Sequence, residues 1–329
     1  MKEELEKELI KISPVFFEEM IECQEGTMNE MNTCMYWGCS CGDGWYEPIK
    51  KLAYKAKLIN DIAKQYNTKY VANQIKEKFG GFRCYWCSKI VDESKPFDKN
   101  DKNIDCLYEM MREAVDACEE ECWNTCETCG AEGGYKGENL VTTSGWISRI
   151  CRKCSKKITE DETKRYDERN NQEYEPRITL FRTGYDFLNI KHISPFDYND
   201  KYYQSVLQAY FCEKDPERKD VYSYLVRVDE NCKLEVFAKM FGVEIEEQDY
   251  NLLKEIAFAK FNSQYNKRWK EELLETDGKK LINMNNNHDN LLGYCFCDKC
   301  KDIEKKNLWG KILMEIREIF LKNMENLEK

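Results

Sequence analysis

Residues 288–300 read His288-Asp289-Asn290-Leu291-Leu292-Gly293-Tyr294-Cys295-Phe296-Cys297-Asp298-Lys299-Cys300, and residues 310–321 read Gly310-Lys311-Ile312-Leu313-Met314-Glu315-Ile316-Arg317-Glu318-Ile319-Phe320-Leu321. The first stretch is a C-x-C-x-x-C run with a histidine seven residues upstream, so His288, Cys295, Cys297 and Cys300 offer four candidate metal ligands within 13 residues. The competing reading has His288 hydrogen-bonded in a polar pocket and the cysteines as small packing residues. The second stretch repeats apolar residues every three or four positions. Ile312, Leu313, Ile316, Ile319 and Phe320 are predicted to form the buried stripe of a helix.

Working outward, Cys126-x-x-Cys129 and Cys151-x-x-Cys154 lie 21 residues apart, with five glycines between Gly130 and Ile150. Each pair can wrap one side of a tetrahedral ion. Four thiolates leave no open position, so this site would be structural, a zinc ribbon. A third set, Cys34, Cys39, Cys41, Cys84 and Cys87, could meet across space. Residues three apart in a strand point to opposite faces, so Cys84 and Cys87 could share an ion only where the strand bends. Cys118 and Cys122 read as helix-core residues, or as residues that could exchange with Cys126.

The chain has 329 residues, 18 cysteines, two histidines and a net charge of −10. No apolar run approaches the roughly 18 residues that span a bilayer. Met1 to Lys11 is charged and offers no signal-peptide core. The expectation is a soluble, cytoplasmic protein, in which clustered cysteines bind metal rather than form disulfides. Thiolate-rich sets favour zinc. The acidic balance argues against a long nucleic-acid groove but leaves room for one local basic patch.

Periodicity predicts helices over Glu4–Cys23, interrupted by Pro14, over Ile49–Tyr66, Ile104–Thr125, Asp249–Phe261 and Lys311–Leu321. Cys34–Trp45 reads as a compact loop. Val71–Phe79 and Phe82–Cys87 read as strands around a Gly80-Gly81 turn. Ile178–Phe181 and Tyr222–Val228 read as short strands. Ser155–Pro176 is charged and mixed in sign. It places a domain boundary at 172/173, unless it is a solvated helix within one domain. The expected fold is α+β: a zinc-ribbon-containing domain over 1–172 and a mostly helical domain over 173–329.

Residues 10–157 resemble an uncharacterised family of phage-encoded proteins. The resemblance lies in Cys41-Gly42-Asp43-Gly44-Trp45-Tyr46, Gln74 through Arg83, Cys126-Glu127-Thr128-Cys129-Gly130, and Gly145-Trp146-Ile147 before Cys151. It suggests a viral or prophage origin and no activity. Trp45, Trp86 and Trp146 read as anchors rather than base-stacking platforms.

Residues 178–321 resemble the NADAR domain, also seen in riboflavin-intermediate N-glycosidases. The stretches are Phe187-Leu188 through Pro195-Phe196, Tyr203-Gln204-Ser205-Val206 through Lys214, Leu273 to Thr276 with Leu281-Ile282, and His288-Asp289-Asn290 through Arg317. The resemblance implies a pocket for a ribosylated, ADP-ribose-like nucleotide and cleavage of an N-glycosidic bond. It implies Asp289 and Lys214 as catalytic residues, and Ser205, Asn283, Gly293 and Asn307 as ligand contacts. The chain departs from the family at decisive places. Leu207-Gln208 stands where the family has Glu-His, Asn283 where it has an acid, Leu292 where it has Trp, and Asn189-Ile190 where it has Ser-Asn. Asp197, Asp200 and Glu213 are the neighbouring acids that could substitute.

Three functions follow: a non-hydrolysing module that binds a ribosylated nucleotide, an active N-glycosidase or ADP-ribosyl glycohydrolase, and a zinc-stabilised interaction protein whose N-terminal half meets an unknown protein partner. Structural roles compete at single residues. Lys214 is a solvated lysine in the plainer reading, Asp289 a turn cap or a partner of His288, and Arg317 a partner of Glu315 or of solvent.

Overall fold

The structure is a computed structural model and describes residues 1–98, 101–134, 139–143, 147–169, 175–179, 181, 183–229 and 233–327. It mixes helices with small sheets, the expected α+β class. Contacts divide the chain into two compact units, Met1–Ser155 and Lys156–Lys329. The expected boundary at 172/173, and Trp146, lie outside the described residues. No described helix is long and apolar enough to cross a membrane.

In the first unit Pro14 separates α1 (Glu3–Ile12) from α2 (Glu18–Gln24), because a proline ring cannot continue the helical ladder. Strand β1 (Cys39–Ser40) runs parallel to β2 (Thr68–Lys78), and β2 pairs antiparallel with β3 (Gly81–Ile90). Helix α3 (Tyr46–Ala63) lies between β1 and β2 in sequence and buries Ile49, Leu52, Ala53, Ala56, Ile59 and Ala63. Helix α4 (Lys102–Trp123) buries Leu107, Met111, Ala114, Val115, Cys118 and Cys122, the face its periodicity predicts. These faces share one core with Tyr70, Ala72, Ile75 and Phe82 of the sheet.

The hairpin turn differs from the expected Gly80-Gly81. Lys78 pairs with Gly81, so the two turn residues are Phe79 and Gly80, at φ 54° and 77°. Positive φ at both centres is the type I′ geometry, whose twist matches that of the flanking strands. Gly81 is thereby the first residue of β3.

Strands β4 (Leu140–Thr142) and β5 (Arg149–Cys151) form a second antiparallel hairpin, which runs into α5 (Arg152–Arg169). From Lys156 onward α5 belongs to the second unit, tied in by charge. Lys156 meets Glu272 at 3.0 Å, Lys279 pairs with Glu160, and Arg177 grips the buried Asp167 through both guanidinium nitrogens. Over 155–169 the charged stretch is therefore a helix fastened at specific points.

The second unit continues with β6 (Arg177–Ile178), the hairpin β7 (Phe196–Tyr198) and β8 (Lys201–Tyr203), and α6 (Val206–Lys214). Helix α7 (Lys219–Asp229) covers the expected strand Tyr222–Val228. Tyr222 and Val226 are both buried, and residues four apart share a helix face, while Tyr224 is 63% exposed. Next come α8 (Leu234–Met240), α9 (Tyr250–Asn262) and α10 (Lys267–Leu274). Strand β9 (Lys280–Leu281) pairs parallel with β6, and β10 (Met284–Asn285) with β11 (Tyr294–Cys295). Helix α11 (Leu308–Leu327) closes the chain.

Helix α6 is buried from Val206 to Cys212, and α9 and α11 turn Leu253, Ile256, Phe261, Trp309, Ile312, Leu313, Ile316 and Phe320 into the same core. Ile319, expected in that stripe, sits at its margin, 37% exposed. Lys260 of α9 is fully buried. Its Nζ donates to the Phe187 carbonyl at 2.9 Å, and burial, opposed by Asp186, depresses its pKa to about 7.

Candidate metal centres and nucleotide site

Cys126, Cys129, Cys151 and Cys154 place their sulfurs within 4.8 Å of one another. Cys126 and Cys129 lie on a tight knuckle closed by the Gly130 N–H donating to the Cys126 carbonyl at 2.9 Å, with Gly130 at φ 74°. Cys151 ends β5 and Cys154 lies in the first turn of α5. The Cys129 and Cys151 sulfurs are 3.7 Å apart, and the Cys151 N–H donates to the Cys126 sulfur at 3.2 Å. Four sulfurs at about 2.3 Å from a tetrahedral ion stand about 3.8 Å apart, so the spacing fits. Burial pushes the Cys126 and Cys154 thiols up, whereas the Ala131 N–H and neighbouring thiols hold Cys129 below its ordinary value against burial.

The Gly42–Trp45 turn backs onto this knuckle. The Gly44 N–H donates to the Glu127 carbonyl at 2.8 Å, and Trp45 Nε1 donates to the Thr125 carbonyl at 3.0 Å. A Cβ on Gly44 would sit 2.1 Å from the Cys126 carbonyl oxygen, and one on Gly42 2.3 Å from that of Glu127. Those glycines are required by close approach of two backbones, which brings two motifs distant in sequence against each other.

His288, Cys295, Cys297 and Cys300 form the second set, again within 4.8 Å. His288 Nδ1 lies 3.2 Å from the Cys297 sulfur and 3.4 Å from that of Cys300. His288 adopts φ 67°, which turns the chain so that its ring faces the cysteines. Both groups can hold a metal ion. The third set does not assemble: among the described residues no group of three or more drawn from Cys34, Cys39, Cys41, Cys84 and Cys87 brings its ligand atoms that close. Cys39 and Cys84 both pair with Ile75, one from each side, so two strand spacings of about 4.8 Å separate their backbones. Cys39, Cys118 and Cys122 are buried in the core instead.

The residues expected to contact a nucleotide fall into two places. Asn283, Asp289, Gly293 and Asn307 converge beside the second metal set. Asn307, at φ 48°, accepts from the Asn283 N–H at 3.0 Å and donates to the Leu281 carbonyl at 2.9 Å. A Cβ on Gly293 would lie 2.4 Å from the Asn283 carbonyl oxygen. Asp289 Oδ1 accepts from the backbone N–H groups of Leu291 and Leu292 at 3.0 and 2.9 Å, a turn cap. Ser205 and Lys214 stand at opposite ends of α6, roughly 13 Å apart at 1.5 Å per residue. Ser205 caps α6 through the Gln208 N–H at 3.2 Å. Lys214 pairs with Asp249, which also accepts from Tyr210 and the Glu246 N–H. Lys214 borders a cleft of about 360 Å³ walled by Gly242–Glu246.

The departures are equally concrete. Leu207 is fully buried in the apolar core, and Leu292 packs there too. Gln208 accepts from the Gln204 N–H at 2.7 Å and donates to Ser223 Oγ at 3.2 Å. Glu213 accepts from Tyr203 at 2.5 Å and Lys201 at 2.8 Å, and Asp197 and Asp200 are exposed. Two residues escaped sequence reading. Lys260 looks like a solvent lysine on an amphipathic helix, and Arg317 like a surface partner of Glu315. Arg317 is buried and donates to the Thr276 and Lys279 carbonyls at 2.5 and 2.9 Å, so it fixes the turn before β9.

No protein-family profile and no curated protein matches the chain. The NMR structure of the E. coli protein YbiA is similar at 20% identity and a TM-score of 0.36, over 48% of this chain and 91% of that one. At that degree of superposition the residues alone carry the reading of the site.

Proposed function

We propose that residues 178–321 form a NADAR-like module that binds a ribosylated nucleotide of the ADP-ribose class without cleaving it, and that both ligand sets hold zinc. The observation that carries the non-hydrolytic part is the state of Leu207 and Gln208. Cleaving an N-glycosidic bond passes through an oxocarbenium-like transition state, which needs a carboxylate near the ribose carbon and an acid at the leaving base. Leu207 cannot titrate, and both ends of the Gln208 amide are engaged by the protein itself. Losing one acid or base costs about 10²- to 10⁴-fold in rate.

The binding part rests on the resembling residues around Asn283, Gly293 and Asn307. The cleft beside Lys214 is less suited to a diphosphate, because Asp249 already matches the ammonium and Glu244 and Glu246 share the wall. Zinc is supported by thiolate-rich donors at tetrahedral spacing. The test is a thermal-shift panel of ADP-ribose, NAD and purine and pyrimidine nucleotides. A ligand selective for the folded state must raise the melting temperature. If none does, the chain is better described as a metal-stabilised interaction protein.

A further inference from the structure

The β2–β3 hairpin breaks a local rule at its tip. A type I′ turn asks for Asn, Asp or Gly at its first central position. Phe79 stands there at φ 54°, with its side chain 73% exposed. A bulky residue in the left-handed region is strained, and an exposed ring recovers little of that by burial. Glu77 holds the turn, its Oε1 accepting from the Gly80 N–H at 2.6 Å.

The pairs Gln74↔Tyr85 and Lys76↔Arg83 put those four side chains, with Lys78, on one face of the hairpin, opposite the buried Ile75 and Phe82. On this face Lys76 Nζ lies 5.4 Å from the centre of the Tyr85 ring, and Lys78 Nζ lies 5.6 Å from that of Phe79. The tip rests beside the ribbon: a Cβ on Gly80 would be 3.7 Å from Arg149 Cβ. The Arg149 guanidinium stands 4.2 Å over the ring of Trp123, which is 46% exposed. Three exposed aromatic rings thus each carry a cation, on a chain of net charge −10. Arg83 is neutralised by Glu119, but among the described residues Lys76 and Lys78 have no carboxylate partner.

We propose that Phe79, Tyr85 and Trp123, with Lys76, Lys78 and Arg149, form a docking surface for single-stranded nucleic acid. Unpaired bases stack on exposed rings whatever their sequence, and their phosphates neutralise cations placed beside those rings. A duplex hides its base faces, and an apolar protein partner would gain nothing from the cations. All six residues lie in Met1–Ser155, so the proposal stands apart from the nucleotide-binding reading.

The test is fluorescence anisotropy of the full chain with labelled oligo-dT and oligo-U of roughly 15 nucleotides, within the span of such sites. Single strands should bind more tightly than a duplex of the same length. With Lys76 and Lys78 counted, log K should fall with log salt at a slope of about −1.4. Phe79→Gly should weaken binding about tenfold, while its melting temperature holds or rises because glycine relieves the strained φ. Lys76→Glu with Lys78→Glu should abolish binding at moderate salt. Equal binding of duplex, unchanged affinity in Phe79→Gly, or a lower melting temperature in that variant would overturn the proposal. Absence of any oligonucleotide binding at low salt would overturn it too and leave the face to a protein partner.

Discussion

Replacing Cys154 by Ser should empty the first metal centre and unfold the ribbon while leaving the main core of the first unit intact. The ribbon's own core contains the buried Cys126, Leu140 and Ile150, with Val141, Cys151 and Cys154 partly buried against it. Fully burying Leu140 and Ile150 contributes about 3–6 kcal/mol together. A structural zinc site contributes about 10–16 kcal/mol at neutral pH. A zinc ion bound there would therefore stabilise the ribbon more than its apolar contacts do, and those contacts could not replace it. The knuckle also receives the Gly44 N–H and Trp45 Nε1 bonds, so loosening it should free the Gly42–Trp45 turn. Hydrogen exchange read peptide by peptide, with metal content per chain, is the assay. Protection should vanish over 125–133, β4, β5 and the Gly44 amide, and persist in α3 and α4. A metal-free ribbon that keeps its protection would refute the reasoning.

Three further outcomes are expected. His288→Ala should remove one ion per chain and expose residues 283–295 to exchange while the ribbon ion stays, because the two ligand sets share no residue. Gly310→Ala should lower stability by about 1–3 kcal/mol in chemical denaturation, since its Cβ would sit 2.2 Å from the Leu281 carbonyl oxygen; an unchanged midpoint would show that α11 slides freely. Lys260, depressed to about 7 from 10.5 by burial, sheds its proton in the folded chain well before the unfolded chain does. Between those values the unfolded state holds the extra proton, so stability rises with pH. The stability of the wild type relative to Lys260→Met should therefore climb by up to about 1.4 kcal/mol per pH unit between roughly pH 7.5 and 9.5 and stay flat below about 6. A difference that stays flat throughout would mean that Lys260 remains charged.

The two assembled ligand sets were legible because C-x-x-C and C-x-C-x-x-C spacing suits four donors around one point. The faces of α3, α4 and α11 were legible because one side is buried and the period follows. Where two periods compete, pattern reading failed. Tyr222, Tyr224 and Val226 alternate as a strand would, yet Tyr222 and Val226 also stand one helical turn apart, and the helix prevailed through their burial. The turn was misplaced by one residue because Gly80-Gly81 is the less strained sequence for it, while strand register selected Phe79-Gly80. Charged residues are the least legible. Lys260, Arg317 and Asp167 all have side chains that suggest solvent, and all are buried on partners away from them in sequence. The same holds for Asn307, whose amide braces the backbone of Leu281 and Asn283, whereas Asp289 takes the turn-cap role of its plainer reading.

The most direct measurement is a single-turnover incubation of the zinc-loaded chain with equimolar ADP-ribose, or with whichever nucleotide most stabilises it, followed by chromatography and mass analysis of everything released. All of the ligand should return intact after many hours. Free base together with its complementary ribosyl fragment (the diphosphate-linked diribose, for ADP-ribose), formed in proportion to protein and lost on heat denaturation, would contradict this and show that the packed Leu207 and the engaged Gln208 have been replaced by other groups that move the proton.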